Sequence, residues 1–279
     1  MSEKQAKPLG WQPKILALDV DGTLLRWVEG GGIVHEDVAP AVRDAVRRAE
    51  DAGVHVVLAS GRSAHGLTPI AELLGLTGHG ERLWVVASNG AVITRFPPLE
   101  VVHEETFDAR AAVAAVLREH PEALVAVEER GVGYRVNRPF PPGELSGELI
   151  ETVVDEIVAA PVSRVIIRDP SATVDDFIDL AGRLGLHGTD YIVGWTAWLD
   201  LAPVGVSKAS GLQHVCEDLD IDPDDVLAIG DGRNDLEMLR WAGRGVAMGQ
   251  AVQLVHDSAD ATTGDVDSDG AAQEIMRWF

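Results

Sequence analysis

Two acids, Asp19 and Asp21, close the apolar run Ile15-Leu16-Ala17-Leu18 and stand two residues apart, followed by Gly22 and Thr23. If extended geometry persists through Val20, both side chains share a face, because a strand repeats every two residues. Carboxylates so placed repel, and a cation or a proton on one of them must compensate. The pair therefore points to a metal site, acid–base chemistry, or both. Three further stretches carry polar groups: Ser60-Gly61-Arg62, Lys208, and Asp231 with Asn234 and Asp235. Asp19, Asp21, Asp231 and Asp235 can build the hard oxygen site that Mg2+ prefers. Ser60, Thr23, Lys208 and backbone N–H groups near Gly22 and Gly61 can hold a phosphate. A carboxylate attacks phosphorus only when the two negative charges are masked, which Mg2+ and Lys208 would do. An aspartyl-phosphate is an established covalent intermediate, and a second acid can protonate the leaving alcohol and then activate water.

The elements that must position these residues follow from periodicity. A continuous apolar run such as 15–18 reads as a buried parallel strand, and functional groups collect beyond the carboxyl ends of such strands. Val38, Ala41, Val42, Ala45, Val46 and Ala49 recur at helical spacing with Arg43, Arg47 and Arg48 outside. Strands are expected at 54–59 and 83–87, with a helix over 63–76 between them. They end in Ser60-Gly61-Arg62 and Ser88-Asn89-Gly90-Ala91, which implies right-handed βαβ units. From 95 to 198 the pattern changes to alternating, half-wet strands at 100–107, 123–136, 164–168 and 191–199. Helices are expected there at 108–119 and 174–184, with a further candidate at 149–157. Pro139, Pro141, Pro142 and Gly143 mark a loop before that candidate.

Regular alternation returns at Ser207, a good N-cap for a helix with Leu212, Val215, Cys216 and Leu219 as its stripe. A strand at 226–229, a helix bearing Leu236, Leu239 and Trp241, short strands at 245–249 and 259–262, and a helix at 271–279 complete the chain. The fold class is α/β. A Rossmann-like three-layer α/β/α core with a parallel sheet is expected from 1–94 and 199–279. An α+β domain with an antiparallel sheet is inserted at 95–198.

The chain has 279 residues, 46% of them hydrophobic, with a formal charge of −22. That charge opposes nucleic acid and anionic membranes as partners, since both are bound by clustered Lys and Arg. It does not oppose a small anionic substrate, because a site can be locally positive. The single cysteine, Cys216, allows no intrachain disulfide and fits a core position. No apolar run reaches the ~18 residues of a membrane span, and residues 1–13 lack a signal-peptide core. A cytoplasmic protein, monomer or homodimer, is expected.

Asp19-Val20-Asp21-Gly22-Thr23-Leu24, Ser60-Gly61-Arg62, Lys208 and Gly230-Asp231-Gly232-Arg233-Asn234-Asp235 together resemble the four signature motifs of the haloacid dehalogenase-like hydrolase superfamily. Ser88-Asn89-Gly90-Ala91 and Val246-Ala247-Met248-Gly249 are similar to stretches of its Cof-type phosphatases, which carry a large α/β cap between the second and third motifs (type IIB). The resemblance implies that Asp19 is nucleophile and metal ligand. It makes Asp21 the general acid/base, with its backbone carbonyl on Mg2+. Ser60 and Lys208 would bind phosphate, and Lys208 would also orient Asp19. Asp231 would ligate the metal, and Asp235 would do so directly or through water while helping to hold Lys208. Asn234 would contact the transferring phosphoryl group. Many relatives have Thr where Ser60 stands and Asn where Gln250 stands. The implied reaction is Mg2+-dependent hydrolysis of a small phosphorylated metabolite, a sugar phosphate or similar phosphomonoester, with the insert as a cap that selects the leaving group.

Some residues carry two readings. Arg62 reaches substrate or pairs with an acid. Asn89 and Gly90 serve the site or only form a tight turn. Trp195, Trp198, Tyr134, Arg135, Arg164 and Arg168 line a substrate pocket or pack and face solvent. A phosphomutase with the same aspartyl chemistry and a non-catalytic phosphometabolite sensor are the alternative functions. The Gly30-Gly31-Gly32 stretch reads as a mobile loop beside the site.

Overall fold

The computed structural model describes residues 7, 10–26, 37–76, 82–129, 131–169, 172–173, 176, 189–193 and 198–279. The Gly30–Gly32 loop, the helix expected at 174–184, Trp195 and the side chain of Trp198 lie outside this description. In chain order the elements begin with β1 (Ile15–Leu18), α1 (Pro40–Asp51), β2 (His55–Ala59), α2 (Ala64–Leu73) and β3 (Leu83–Ala87). There follow β4 (Val92–Phe96), β5 (Glu100–Glu104), α3 (Arg110–Glu119), β6 (Leu124–Glu129), β7 (Gly133–Val136), β8 (Glu148–Glu151) and α4 (Val154–Ile157). Then come β9 (Val165–Arg168), β10 (Thr189–Val193), β11 (Trp198–Pro203), α5 (Lys208–Leu219), β12 (Val226–Gly230) and α6 (Leu236–Trp241). The chain ends with β13 (Arg244–Ala247), α7 (Gln253–His256), β14 (Ala261–Thr262) and α8 (Gly270–Ile275).

Two compact units result, Met1–Val102 with Ser207–Phe279, and His103–Val206. The first is built on an eight-stranded sheet ordered β14-β13-β12-β1-β2-β3-β4-β5. β14 through β3 run parallel, and β4 pairs antiparallel with β3. Both faces of the central strands are buried, which explains their continuous apolar runs. Ile15, Ala17, Val57, Ala59, Val226 and Ala228 pack against Leu212, Val215, Met238 and Leu239 of α5 and α6. Their neighbours Leu16, Leu18 and Leu58 are equally buried and point to the opposite face, where α1, α2 and α8 lie. The chain departs from β1 toward β2 on one side and returns to β12 on the other. The carboxyl end of β1 is therefore the switch point at which such sheets bind ligands.

The second unit has a six-stranded sheet ordered β10-β11-β9-β6-β7-β8. Val125, Val127, Val165, Ile167, Leu199 and Leu201 on one face pack with Val113 and Val116 of α3 and Ile157 of α4. Three expectations change here. The antiparallel sheet is mixed, because β7 and β8 pair in parallel. The proline-marked loop at 137–147 carries the chain back to the same end instead of turning a hairpin. The helical candidate at 149–157 divides into edge strand β8 and the one-turn α4. The Thr152 amide still donates to Val136 O at 2.9 Å, so the ladder outlasts β8 and leaves only a short helix. The strand expected in the insert at 100–107 is instead β5, the rim of the first sheet. All of its residues are exposed or half-buried, so its alternation records exposure, which any edge strand would give.

Close backbone approaches hold the site-bearing segments together. At the end of β3, Gly90 has φ +102°, and a Cβ there would lie 2.0 Å from Ser207 O. Gly90→Ala combines left-handed strain with that clash and is expected to cost about 3 kcal/mol or more. Gly53→Ala has φ +85° with nothing within 4 Å and should cost about 1 kcal/mol. Thermal melts of the two variants check this, and equal losses would contradict the packing argument.

Candidate active site

The carboxyl ends of β12, β1, β2 and β3, with the start of α5, bring together the four polar stretches found in the sequence. The Asp19 amide continues the β1–β12 pairing by donating to Ile229 O at 3.0 Å, so the central strand itself delivers the acid. Its side chain is 5% exposed. Ser207 caps α5, its hydroxyl accepting from the Ser210 amide while Ser210 Oγ accepts from the Ser207 amide. This box fixes Lys208 in the first turn, where an ammonium is opposed by the helix dipole. Two carboxylates offset that opposition. Lys208 Nζ donates to Asp19 Oδ1 at 2.6 Å and to Asp235 Oδ1 at 2.7 Å, and the lysine side chain is fully buried.

Asp235 does more than hold the lysine. Its Oδ2 accepts from the amides of Asp231 at 3.0 Å and Gly232 at 2.8 Å. The loop after β12 is thus wrapped around one carboxylate. Gly230 lets it approach, since a Cβ there would lie 2.4 Å from Asp235 Cγ. Gly22 does the same for Asp231: with φ +84°, it leaves room where a Cβ would stand 2.1 Å from Asp231 Oδ2. The Gly22 amide, expected among the phosphate-holding N–H groups, donates to Leu25 O at 2.9 Å. It closes the turn after Asp21, so the contribution of Gly22 here is space.

Arg62 binds Asp21 through two parallel hydrogen bonds, Nε to Oδ2 at 2.9 Å and Nη2 to Oδ1 at 2.6 Å. Of its two sequence readings, this is the pairing with an acid. Ser60 is buried at the end of β2, and its Oγ accepts from the Arg62 amide at 3.1 Å. Thr23 is buried too, and its Oγ1 has no hydrogen-bond partner within the described residues. Asn234 Nδ2 donates to Asn89 Oδ1 at 3.0 Å. Sequence reasoning missed Gln250 as a site residue. Its Nε2 donates to Gly22 O at 2.6 Å and to Asp231 Oδ2 at 3.2 Å, and its Oε1 accepts from Val266 N. Its position directly after Val246-Ala247-Met248-Gly249, on the loop leaving β13, was the available signal. Cys216 is core, and burial pushes its thiol up to about 12.

Asp19, Asp231 and Asp235 each offer an oxygen within 4.8 Å of the others. Asp19 Oδ2 is buried without a hydrogen-bond partner among the described residues, although such atoms are nearly always paired. An all-oxygen set of three clustered acids, with only the Lys208 ammonium against them, fits a hard divalent cation. The electrostatics agree. Burial first, then the neighbouring Asp235, pushes Asp19 well above the usual carboxylate range. The same two causes raise Asp231 to about 7. Burial disfavours the Lys208 ammonium, but the charges of Asp19 and Asp235 outweigh it and hold the amine above its ordinary value.

A carboxyl raised in the folded state binds more protons there than in the unfolded chain, so stability falls as pH rises through that interval. For Asp231 the interval runs from 3.8 to about 7. In chelator-treated protein the melting temperature is therefore expected to fall between pH 5.5 and 8. The stabilisation gained on adding Mg2+ should grow over the same range, and Asp231→Asn should flatten both trends. A melting temperature that rises with pH in the chelated protein would contradict this.

Residues 16–275 match the family model for haloacid dehalogenase-like hydrolases. A phosphoglycolate phosphatase of Natronomonas pharaonis is 32% identical over 262 residues, covering 94% of this chain and 96% of that protein. The 5-amino-6-(5-phospho-D-ribitylamino)uracil phosphatase YcsE of Bacillus subtilis is 27% identical over 280 residues, covering 95% of each. The crystal structure of a haloacid dehalogenase-like hydrolase from Bacteroides thetaiotaomicron superposes with a TM-score of 0.79 at 27% identity, covering 96% of this chain and 100% of that one. The fold, the strand-end constellation and these matches agree, and the chain belongs to the haloacid dehalogenase-like hydrolase family.

Proposed function

We propose that the protein is a phosphatase that hydrolyses a small phosphomonoester, of the sugar-phosphate kind, through an aspartyl-phosphate on Asp19. The observation that carries this reading is the Lys208 clamp. It engages Asp19 Oδ1 and leaves Oδ2 buried, with no hydrogen-bond partner among the described residues, at the carboxyl end of the central strand. A desolvated carboxylate oxygen held in one orientation is the arrangement a nucleophile needs.

In the first step Asp19 Oδ2 forms a bond to phosphorus as the ester P–O bond breaks, and Asp21 gives its proton to the leaving alcohol. In the second, Asp21 takes a proton from water as that water bonds to phosphorus, and the Asp19–phosphorus link breaks. Arg62 fixes the direction of Asp21 through its paired bonds. Lys208 masks negative charge beside the attacking oxygen. The Ser60 hydroxyl accepts from the Arg62 amide and keeps its own proton to donate to a phosphoryl oxygen. Asn234 offers amide N–H to the same group. Asp19, Asp231 and the main-chain carbonyl of Asp21 would seat Mg2+, which supplies charge neutralisation on the phosphoryl oxygens. Asp235 already accepts three donors and serves that site by holding Lys208 and the loop.

A panel of phosphorylated metabolites assayed for released phosphate, with and without Mg2+, tests the reading. Release should require the metal. Isomerisation of a hexose phosphate without release would favour a mutase, and binding without turnover a sensor. Asp19→Asn should lower kcat by ~10³-fold or more while keeping a cooperative melt. Persistent activity in that variant would sink the mechanism.

A further inference from the structure

We propose that Asn89 is a positioning residue, acting through Asn234 and resting on the reading that Asn234 contacts the transferring phosphoryl group. Asn89 follows β3 in a turn where Ser88, Asn89 and Gly90 have φ of 50°, 55° and 102°. Left-handed backbone is costly for residues with a Cβ, and Asn tolerates it better than most. Strain of this sort persists where the surroundings impose it, and here they do. The Ser88 amide donates to Arg62 O at 2.8 Å and the Asn89 amide to Ser60 O at 3.0 Å. The turn is therefore tied to both ends of the Ser60–Arg62 loop.

The Asn89 side chain is aimed by the same turn. The residue is 5% exposed, and its Oδ1 accepts from Asn234 Nδ2 at 3.0 Å across 145 residues of chain. Gly61 makes the room, since a Cβ there would stand 3.1 Å from Asn89 Oδ1. Gly232 leaves room for the other end of the Asn234 amide, since a Cβ there would lie 2.4 Å from Asn234 Oδ1. A carboxamide turns freely between two broad orientations about its last torsion. Asn89 selects one of them. One N–H of Asn234 is spent on Asn89, and the second is held ready for a phosphoryl oxygen. Donors aligned in advance need no reorganisation when charge develops.

Asn89→Gly separates the two roles, because glycine keeps the left-handed backbone and removes only the carboxamide. The experiment compares Asn89→Gly, Asn234→Ala and the double variant in steady-state phosphate release, with thermal melts alongside. Asn234→Ala is expected to lower kcat/KM. Asn89→Gly should lower kcat roughly 10-fold, about 1.4 kcal/mol, and should add no further loss in the Asn234→Ala background. Wild-type kcat in Asn89→Gly overturns the proposal, and so does a loss that multiplies in the double variant. An unimpaired Asn234→Ala overturns the reading of Asn234 itself. If Asn89→Gly does not fold, Asn89→Asp serves instead. It keeps an acceptor oxygen for Asn234 and a tolerated left-handed backbone, so kcat should fall less than in Asn234→Ala, and a fall as large or larger would overturn the proposal.

Discussion

A fully buried ammonium between two carboxylates organises this site. Taking a lysine out of water is costly unless its charge is met at hydrogen-bond distance, and Lys208 meets Asp19 and Asp235 at 2.6 and 2.7 Å. Removing the lysine would leave the clustered carboxylates buried without compensation. The clamp also joins three distant parts of the chain: the end of β1, the start of α5 and the loop after β12. One cation does not balance the buried acids, however. Asp231 stands beside them, and Asp19 and Asp231 are both pushed upward. That residual negative charge is the physical reason for expecting a divalent cation there.

The sheet makes the clamp possible. Parallel strands with both faces covered present their carboxyl ends along one edge, and the order β12-β1-β2-β3 places four such ends side by side. The loops must then approach more closely than side chains allow. Gly22 admits Asp231, Gly230 admits Asp235, and Gly90 admits the backbone of Ser207. These glycines mark where backbone and acid converge, so their substitution should disturb geometry before it disturbs the core.

Much of this was legible from residue types. The runs at 15–18, 54–59, 83–87 and 226–229 read as buried strands because both faces are covered. Asp19, Lys208, Asp231 and Asp235 stood out because charge at a strand end or helix start is costly unless used. Other features are set by partners far along the chain and leave no local trace. Nothing near Arg62 says that Asp21, 41 residues away, will claim its guanidinium. The stretch before Gln250 marks it as near the site, but nothing there names Gly22, 228 residues away, as its partner. Strand β5 was assigned to the wrong sheet, and the second sheet was read as wholly antiparallel, for a related reason. Alternation tells how wet a strand is, and it does not tell which sheet the strand joins or in which direction.

The central claim is that the phosphoryl group visits Asp19 before it reaches water. Each in-line displacement inverts phosphorus, so two in succession restore the starting configuration. The direct test uses a phosphorothioate ester of an accepted substrate, made chiral with an oxygen isotope and hydrolysed in isotopically labelled water. Retention at phosphorus is the expected result. Inversion would mean a single displacement by water and would contradict it.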